Sequence, residues 1–127
     1  MKQPILILAL VIALFTTGCV FSQANLNVSY DQEKARKGPL SAIKPLNFEI
    51  VEFSDKRPEA DKIGYKRNGF GQNTANIVTT RSVPQIVRDA FVSELSKNGH
   101  IVGGGKDVVL SGTITSFWFD YQMNFFT

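Results

Sequence analysis

Hydrophobic and polar positions divide the chain into stretches of different character. Ile5 to Phe15 is an unbroken apolar run. From Val20 to Lys44 polar residues dominate and no period persists. Only Leu26, Val28 and Tyr30 alternate with Asn27 and Ser29, as in a short strand. Leu46 to Phe53 reads as a strand, with Leu46, Phe48 and Ile50 on one face and Val51 and Phe53 on the other. Apolar residues on both faces predict either two-sided burial or a bulge at Ile50-Val51. Ser54-Asp55-Lys56-Arg57-Pro58 ends it, because proline cannot donate to a ladder. Glu59 to Arg81 is irregular and punctuated by Gly64, Gly69 and Gly71, which predicts an exposed loop. A short strand over Ala75–Thr80 follows from the β-prone run Ile77-Val78-Thr79-Thr80.

Ser82 to Asn98 carries the helical signal. Ser82 can cap, Pro84 sits in the first turn, and Gln85 stands three residues after the cap. Val83, Ile86, Val87, Ala90, Phe91 and Leu95 recur on one stripe, and Gly99 suits the left-handed stop. Ile101-Val102 reads as a short strand and Gly103-Gly104-Gly105-Lys106-Asp107 as a turn. One long strand is expected from Val108 to Tyr121. Val108, Leu110, Ile114 and Trp118 share one face. The other turns aromatic at Phe117, Phe119 and Tyr121, an ending expected to be core. These elements predict an α+β fold in β-loop-α-β-β order. Its sheet is small and mainly antiparallel, with one long helix packed over Val108, Leu110 and Ile114.

The chain has 127 residues, with 14 Lys+Arg against 11 Asp+Glu. One domain of modest size is expected. Removing a leader that contains Lys2 leaves a side-chain charge of only +2, too small to define a nucleic-acid face, so no nucleic acid is expected as partner. A single cysteine excludes an internal disulfide. Gly71 is followed by Gln72-Asn73 and not by Lys-Ser/Thr, so no phosphate loop is present. Arg67-Asn68-Gly69-Phe70-Gly71 lacks the continuation of an RNA-recognition strand. His100 has no cysteine or second histidine near it, so no metal is expected, and it reads as a surface turn residue. No nucleophile–base pair or supported carboxylate dyad is visible, so neither catalytic residues nor a cofactor is expected.

The first nineteen residues have an order of their own. Lys2 is followed by the apolar run, then by Thr16-Thr17-Gly18 and Cys19. An eleven-residue helix rises about 16 Å, against a bilayer core of about 30 Å. The run is therefore short for a span and suits a signal h-region. This order resembles a bacterial lipoprotein signal, although Thr16 stands where such signals generally carry leucine. The resemblance implies that residues 1–18 are removed and that Cys19 becomes the lipidated N-terminus, carrying palmitate-type acyl chains. Val20 after the cysteine resembles an outer-membrane sorting signal. Residues 19–44 are then expected to form a flexible tether, and residues 45–127 the periplasmic α+β domain.

The lipoprotein-like signal is joined by further pieces of one pattern. They are the strand closed by Asp55-Lys56-Arg57, then Ile63-Gly64 and Lys66-Arg67-Asn68-Gly69-Phe70-Gly71. The Ile77-Val78-Thr79-Thr80 strand, the Val83–Gly99 helix and the aromatic strand after Asp107 complete it. Together they resemble the YajG-type family of small bacterial envelope lipoproteins. Members of that family continue with further strands and a second helix, so the resemblance implies that this chain is the N-terminal portion of such a protein. The element order is also similar to the periplasmic domains of curli-secretion and penicillin-binding-protein-activator lipoproteins, as an analogy of fold.

The functional expectation is a non-catalytic binding or structural lipoprotein of the cell envelope. It would be held on the periplasmic side of the outer membrane by lipid on Cys19. Its expected contact surface for an envelope protein is the Ile63–Gln72 loop, led by Lys66, Arg67 and Phe70. The alternatives are an accessory activator of an envelope enzyme, such as a cell-wall synthase, or a plain secreted periplasmic protein.

Overall fold

The computed structural model describes residues 22–122. The expected leader, residues 1–18, and Cys19 lie outside the described residues. Nine strands and one α-helix follow in order: β1 (Ala24–Leu26), β2 (Asn47–Ile50), β3 (Ser54–Asp55), β4 (Gly64–Arg67), β5 (Asn73–Thr79), α1 (Val83–Lys97), β6 (Ile101–Val102), β7 (Val108–Leu110), β8 (Thr113–Ile114) and β9 (Tyr121–Gln122). Short 3-10 turns stand at Gln32–Lys34 and Pro39–Ala42. This is a small α+β fold with a mixed sheet. Two units are distinguishable. Among described residues, 22–25, 62–78 and 118–122 make unit 1, and 26–61 and 79–117 make unit 2.

Unit 2 holds the helix. Ser82 Oγ accepts the Gln85 N–H at 3.4 Å, and Gly99 takes φ +87°, as the cap and stop signals predict. Val83, Ile86 and Leu95 are buried, and the helix packs against β6 and β3. Phe91 lies at the edge of the stripe, 39% exposed, and stacks on buried Phe53 with ring centroids 5.3 Å apart.

The expectation of a mainly antiparallel sheet is corrected here. Strand β2 is flanked by β6 and β7, and both run parallel to it. The Gly103–Asp107 turn joins β6 to β7, yet the two strands lie on opposite sides of β2 and do not pair. The turn instead crosses at Asn47. Asp107 Oδ2 accepts from Asn47 N at 2.7 Å and Nδ2 at 2.8 Å, and a Cβ on Gly104 would stand 3.3 Å from Asn47 Oδ1. Gly103, at φ +88°, allows that reversal.

The strand expected over Leu46–Phe53 is interrupted, as a bulge would require. Ile50 pairs with Leu110, but Ser54 pairs with Thr113, so the Val51–Phe53 stretch holds one residue more than its partner. Backbone bonds from Val51 N to Leu110 O and from Ser54 N to Gly112 O continue across the bulge. The extra residue separates Val51 and Phe53: Val51 faces out and Phe53 is buried. The single long strand expected over Val108–Tyr121 is likewise broken into β7, β8 and β9. Its aromatic end is not core, since Trp118, Phe119 and Tyr121 are exposed.

His100 is also corrected. It is 4% exposed, and its ring packs edge-on to Phe48. Its Nδ1 accepts the Leu46 N–H at 3.2 Å, which leaves Nε2 to donate to Leu40 O at 3.1 Å. The polar stretch read as a tether differs similarly. Leu26, Val28 and Tyr30 are half-buried between exposed neighbours, as their alternation predicts, and Ala35 is buried. The Tyr30 hydroxyl donates to the Glu94 carboxylate, which holds the tyrosine pKa above its ordinary value. Asn98, at the helix C-cap, accepts from Gly38 N at 2.7 Å and donates to Arg36 O at 3.1 Å. Within unit 2, residues 30–40 are thus strapped to the helix end by the side chains of Glu94 and Asn98.

Unit 1 is built on the β4–β5 hairpin within a sheet of order β1-β5-β4-β9. The division between units falls inside β1 and β5. Gly64 pairs with Ile77, Tyr65 with Asn76 and Lys66 with Ala75, antiparallel, with an irregularity between Lys66 and Arg67. Strand β9 runs parallel to β4, pairing Tyr121 with Lys66 and Gln122 with Arg67. Ile63 and Ile77 are its most deeply buried side chains, each 2% exposed.

Candidate functional site

The stretch expected as an irregular contact loop, Ile63–Gln72, is ordered as β4 and a hairpin tip. Its tip is organised by Asn68. The Asn68 Oδ1 accepts from Phe70 N at 3.0 Å and from Gln72 N at 2.9 Å, while Nδ2 donates to Gln72 Oε1 at 2.8 Å. Backbone bonds from Asn68 N to Gln72 O and from Gly71 N to Asn68 O close the turn. Gly71 takes φ +79°, the left-handed region that favours glycine. An asparagine that satisfies its own turn is a local device. Here it fixes the backbone that presents Phe70 to solvent, 88% exposed.

The three contact residues expected from the sequence are brought to this end of the hairpin, in different roles. Phe70 stands at the tip. Lys66, on β4, donates from Nζ to the Ser22 carbonyl at 2.8 Å. Arg67 donates to Asp120 Oδ2 from Nη2 at 3.0 Å, and to Gly71 O from Nη1 at 3.2 Å. Partial desolvation of Asp120 pulls its pKa upward. The bonds and charge of Arg67, with the Trp118 indole bond, outweigh it and leave the carboxyl below its ordinary value. Cys19 lies outside the described residues.

Beside these stand residues that periodicity alone missed. Trp118 Nε1 donates to Asp120 Oδ1 at 3.1 Å, and its ring meets Tyr65 edge-on at 5.4 Å. Lys62 Nζ lies 5.5 Å from the Tyr65 ring centroid, a cation–π distance. A connected row therefore runs from Arg67 through Asp120, Trp118 and Tyr65 to Lys62. The Asn68-Gly69 dipeptide was an available hairpin signal. The pairing of Trp118 and Asp120 with β4 had none, because it joins positions more than fifty apart.

Within unit 2, two depressions are lined by Ile50, Glu52, Pro84, Gln85 and Arg88, and by Gln32, Ala35, Val92, Ser93, Ser96 and Lys97. Among the described residues, no group of three His, Cys, Asp or Glu could hold a metal ion, and no helix is long and apolar enough to cross a membrane. Comparison with protein-family models, with curated proteins and with solved structures gave no match.

Proposed function

We propose that this chain is a lipid-anchored protein of the bacterial cell envelope, acylated at Cys19 and facing the periplasm from the outer membrane. Its role is binding or structural rather than catalytic, and its leading contact surface is the β4–β5 hairpin end with Lys66, Arg67 and Phe70. One observation carries the reading: Lys2, the apolar run Ile5–Phe15, Thr16-Thr17-Gly18 and the sole cysteine stand in the order of a lipoprotein signal. That order also accounts for a lone thiol, whose sulfur would carry lipid. The resemblance to YajG-type envelope lipoproteins belongs to the same proposal. In support of the hairpin as contact surface, a large apolar side chain is held fully outward on a hydrogen-bonded tip.

The test is processing. In a Gram-negative host, globomycin is expected to shift the protein to a slower-migrating form. Cys19→Ala is expected to abolish that shift and to release the protein from the outer-membrane fraction. A wild-type protein that shows no shift and fractionates with periplasmic contents would sink the proposal and leave a secreted protein.

A further inference from the structure

We propose that the hairpin end of unit 1 docks on the phospholipid surface of the membrane that anchors the chain, with Phe70 inserted and Trp118 and Tyr121 at headgroup level. The inference rests on lipidation of Cys19 and names what the contact surface of that reading touches. Three independent observations point to lipid.

Chain length comes first. Lys66 holds the carbonyl of Ser22 beside β4, only two residues before the turn residue Asn68. Cys19 is three residues from Ser22, and three residues of chain reach at most about 10 Å. An acylated Cys19 therefore brings the bilayer to this end of unit 1, and no long tether intervenes.

Charge is the second. Across the described residues, unit 2 balances ten Lys and Arg with ten Asp and Glu. Unit 1 contains three basic residues, Lys62, Lys66 and Arg67, and one acidic residue, Asp120. The whole positive excess outside the leader thus sits on the unit nearest the anchor, where anionic headgroups would meet it.

Side-chain type is the third. Trp118 and Tyr121 are 43% and 50% exposed, and Phe70 is the most exposed large apolar residue of the described chain. Tryptophan and tyrosine suit a membrane–water interface, because one end is apolar and the other polar. The Trp118 indole is held by Asp120, which Arg67 also holds, so the interfacial aromatic and a basic group are fixed together. Acyl chains joined by a basic, aromatic patch make the two-signal arrangement that holds a protein stably on a membrane.

Trp118 is the only tryptophan, so the chain carries its own probe. The acylated full-length mature protein is reconstituted into phosphatidylethanolamine–phosphatidylglycerol vesicles, with lipids brominated just below the glycerol. Trp118 emission is expected to shift to the blue and to be quenched by at least half, and Phe70→Asp is expected to remove most of that quenching. Intact mass of the same preparation reads the acyl chains on Cys19. Acylated protein with unquenched, unshifted Trp118 overturns membrane docking and leaves the anchor standing. A mass without acyl chains overturns the anchor and, with it, this inference. Emission that shifts only when detergent-solubilised envelope proteins are added assigns the surface to a protein and overturns lipid as its occupant.

Discussion

The Arg57 guanidinium closes on the carboxylate of Asp55, two residues earlier, with Nε 2.9 Å from Oδ1 and Nη2 2.9 Å from Oδ2. Arg57 is buried, and it also donates to Ala60 O at 2.9 Å and Phe117 O at 3.3 Å. A forked donor therefore ties the end of β3 to the chain after it and to the segment after β8. Removing the guanidinium leaves the partly exposed Asp55 carboxylate and the Ala60 and Phe117 carbonyls without this donor, at about 1–3 kcal/mol. Arg57→Met is expected to destabilise by that amount in urea unfolding. Arg57→Lys should recover little, because an ammonium cannot reproduce the fork. A loss under 1 kcal/mol for Arg57→Met would show that the pair is not structural.

Asp55 also enters a pH prediction. The Arg57 side-chain bond holds its carboxyl below the ordinary 3.8, against an opposing push from partial burial. The backbone N–H and side chain of Asn47 hold Asp107 below the same value, and Asp120 is lowered by Arg67. In the unfolded chain these groups return to ordinary values, so below about pH 4 the unfolded state binds more protons. Their stabilisation is present above the unfolded value and is lost as pH falls through the lower folded values. The urea midpoint should hold between pH 7 and 5 and then decline toward pH 2. Asp55→Asn, already weakened at pH 7, should show a shallower decline. A midpoint that stays flat to pH 2 would contradict the sign.

How much of this was legible in the sequence depends on how local each cause is. The helix was readable from Ser82, Gln85 and Gly99, because caps act within one turn. Strand β5 was readable from Ile77-Val78-Thr79. The bulge before Phe53 was foreshadowed by Ile50-Val51, where alternation fails. Parallel pairing was not readable. The glycine turn after Val102 reads only as a turn, and it is Asn47, some sixty residues earlier, that shows the chain crossing there. The burial of His100 is hidden for the same reason, since its partners Leu46 and Leu40 lie 54 and 60 residues away. At the candidate site, Lys66, Arg67 and Phe70 could be named from a basic, aromatic stretch. Their environment could not, because Ser22, Asp120 and Trp118 arrive from the two ends of the chain.

Asn98 predicts a second stability effect. Its side chain satisfies Gly38 N–H, Arg36 O and Glu94 O, and it is buried. Asn98→Ala leaves those groups without that partner, at about 1–3 kcal/mol. Asn98→Asp keeps the acceptor for Gly38 but loses both donated bonds, and should be at least as damaging. Amide exchange at Gly38 is the local readout. It should accelerate in Asn98→Ala more than in Asn98→Asp, and equal protection in all three proteins would refute the strap.

The helix face offers a graded comparison. Ile86 is buried, so Ile86→Ala should cost about 2–5 kcal/mol, as core truncations do. Phe91 is partly exposed at the edge of the stripe, and what it contributes is mainly its stack on Phe53. An aromatic pair contributes about 0.5–1.5 kcal/mol beyond area, so Phe91→Ala should cost less than Ile86→Ala. Phe91→Asp should lower the melting temperature without abolishing cooperative unfolding. If Phe91→Ala proved the more damaging, the helix would be rotated from the orientation described here.

Gly64 makes the sharpest demand on backbone space. A Cβ added there would collide with the carbonyl oxygen of Phe119 and stand 2.6 Å from its carbonyl carbon. The obstacle is main chain, so no rotamer change relieves it. The neighbouring bond from Phe119 N to Ile63 O, at 2.7 Å, holds the two segments at that separation. Gly64→Ala must therefore push the Trp118–Tyr121 segment off β4, breaking that bond and the Lys66–Tyr121 pairing. A substitution of one methyl group should cost more than the 1–3 kcal/mol of ordinary overpacking. Because Trp118 rests on Tyr65, its fluorescence should report the detachment as a red shift without vesicles present. Gly71→Ala serves as the control. It has open space around its Cβ but a left-handed φ, so it should cost about 1 kcal/mol and leave Trp118 emission unchanged. If Gly64→Ala folded with wild-type stability and emission, the close approach of Phe119 to β4 would be disproved.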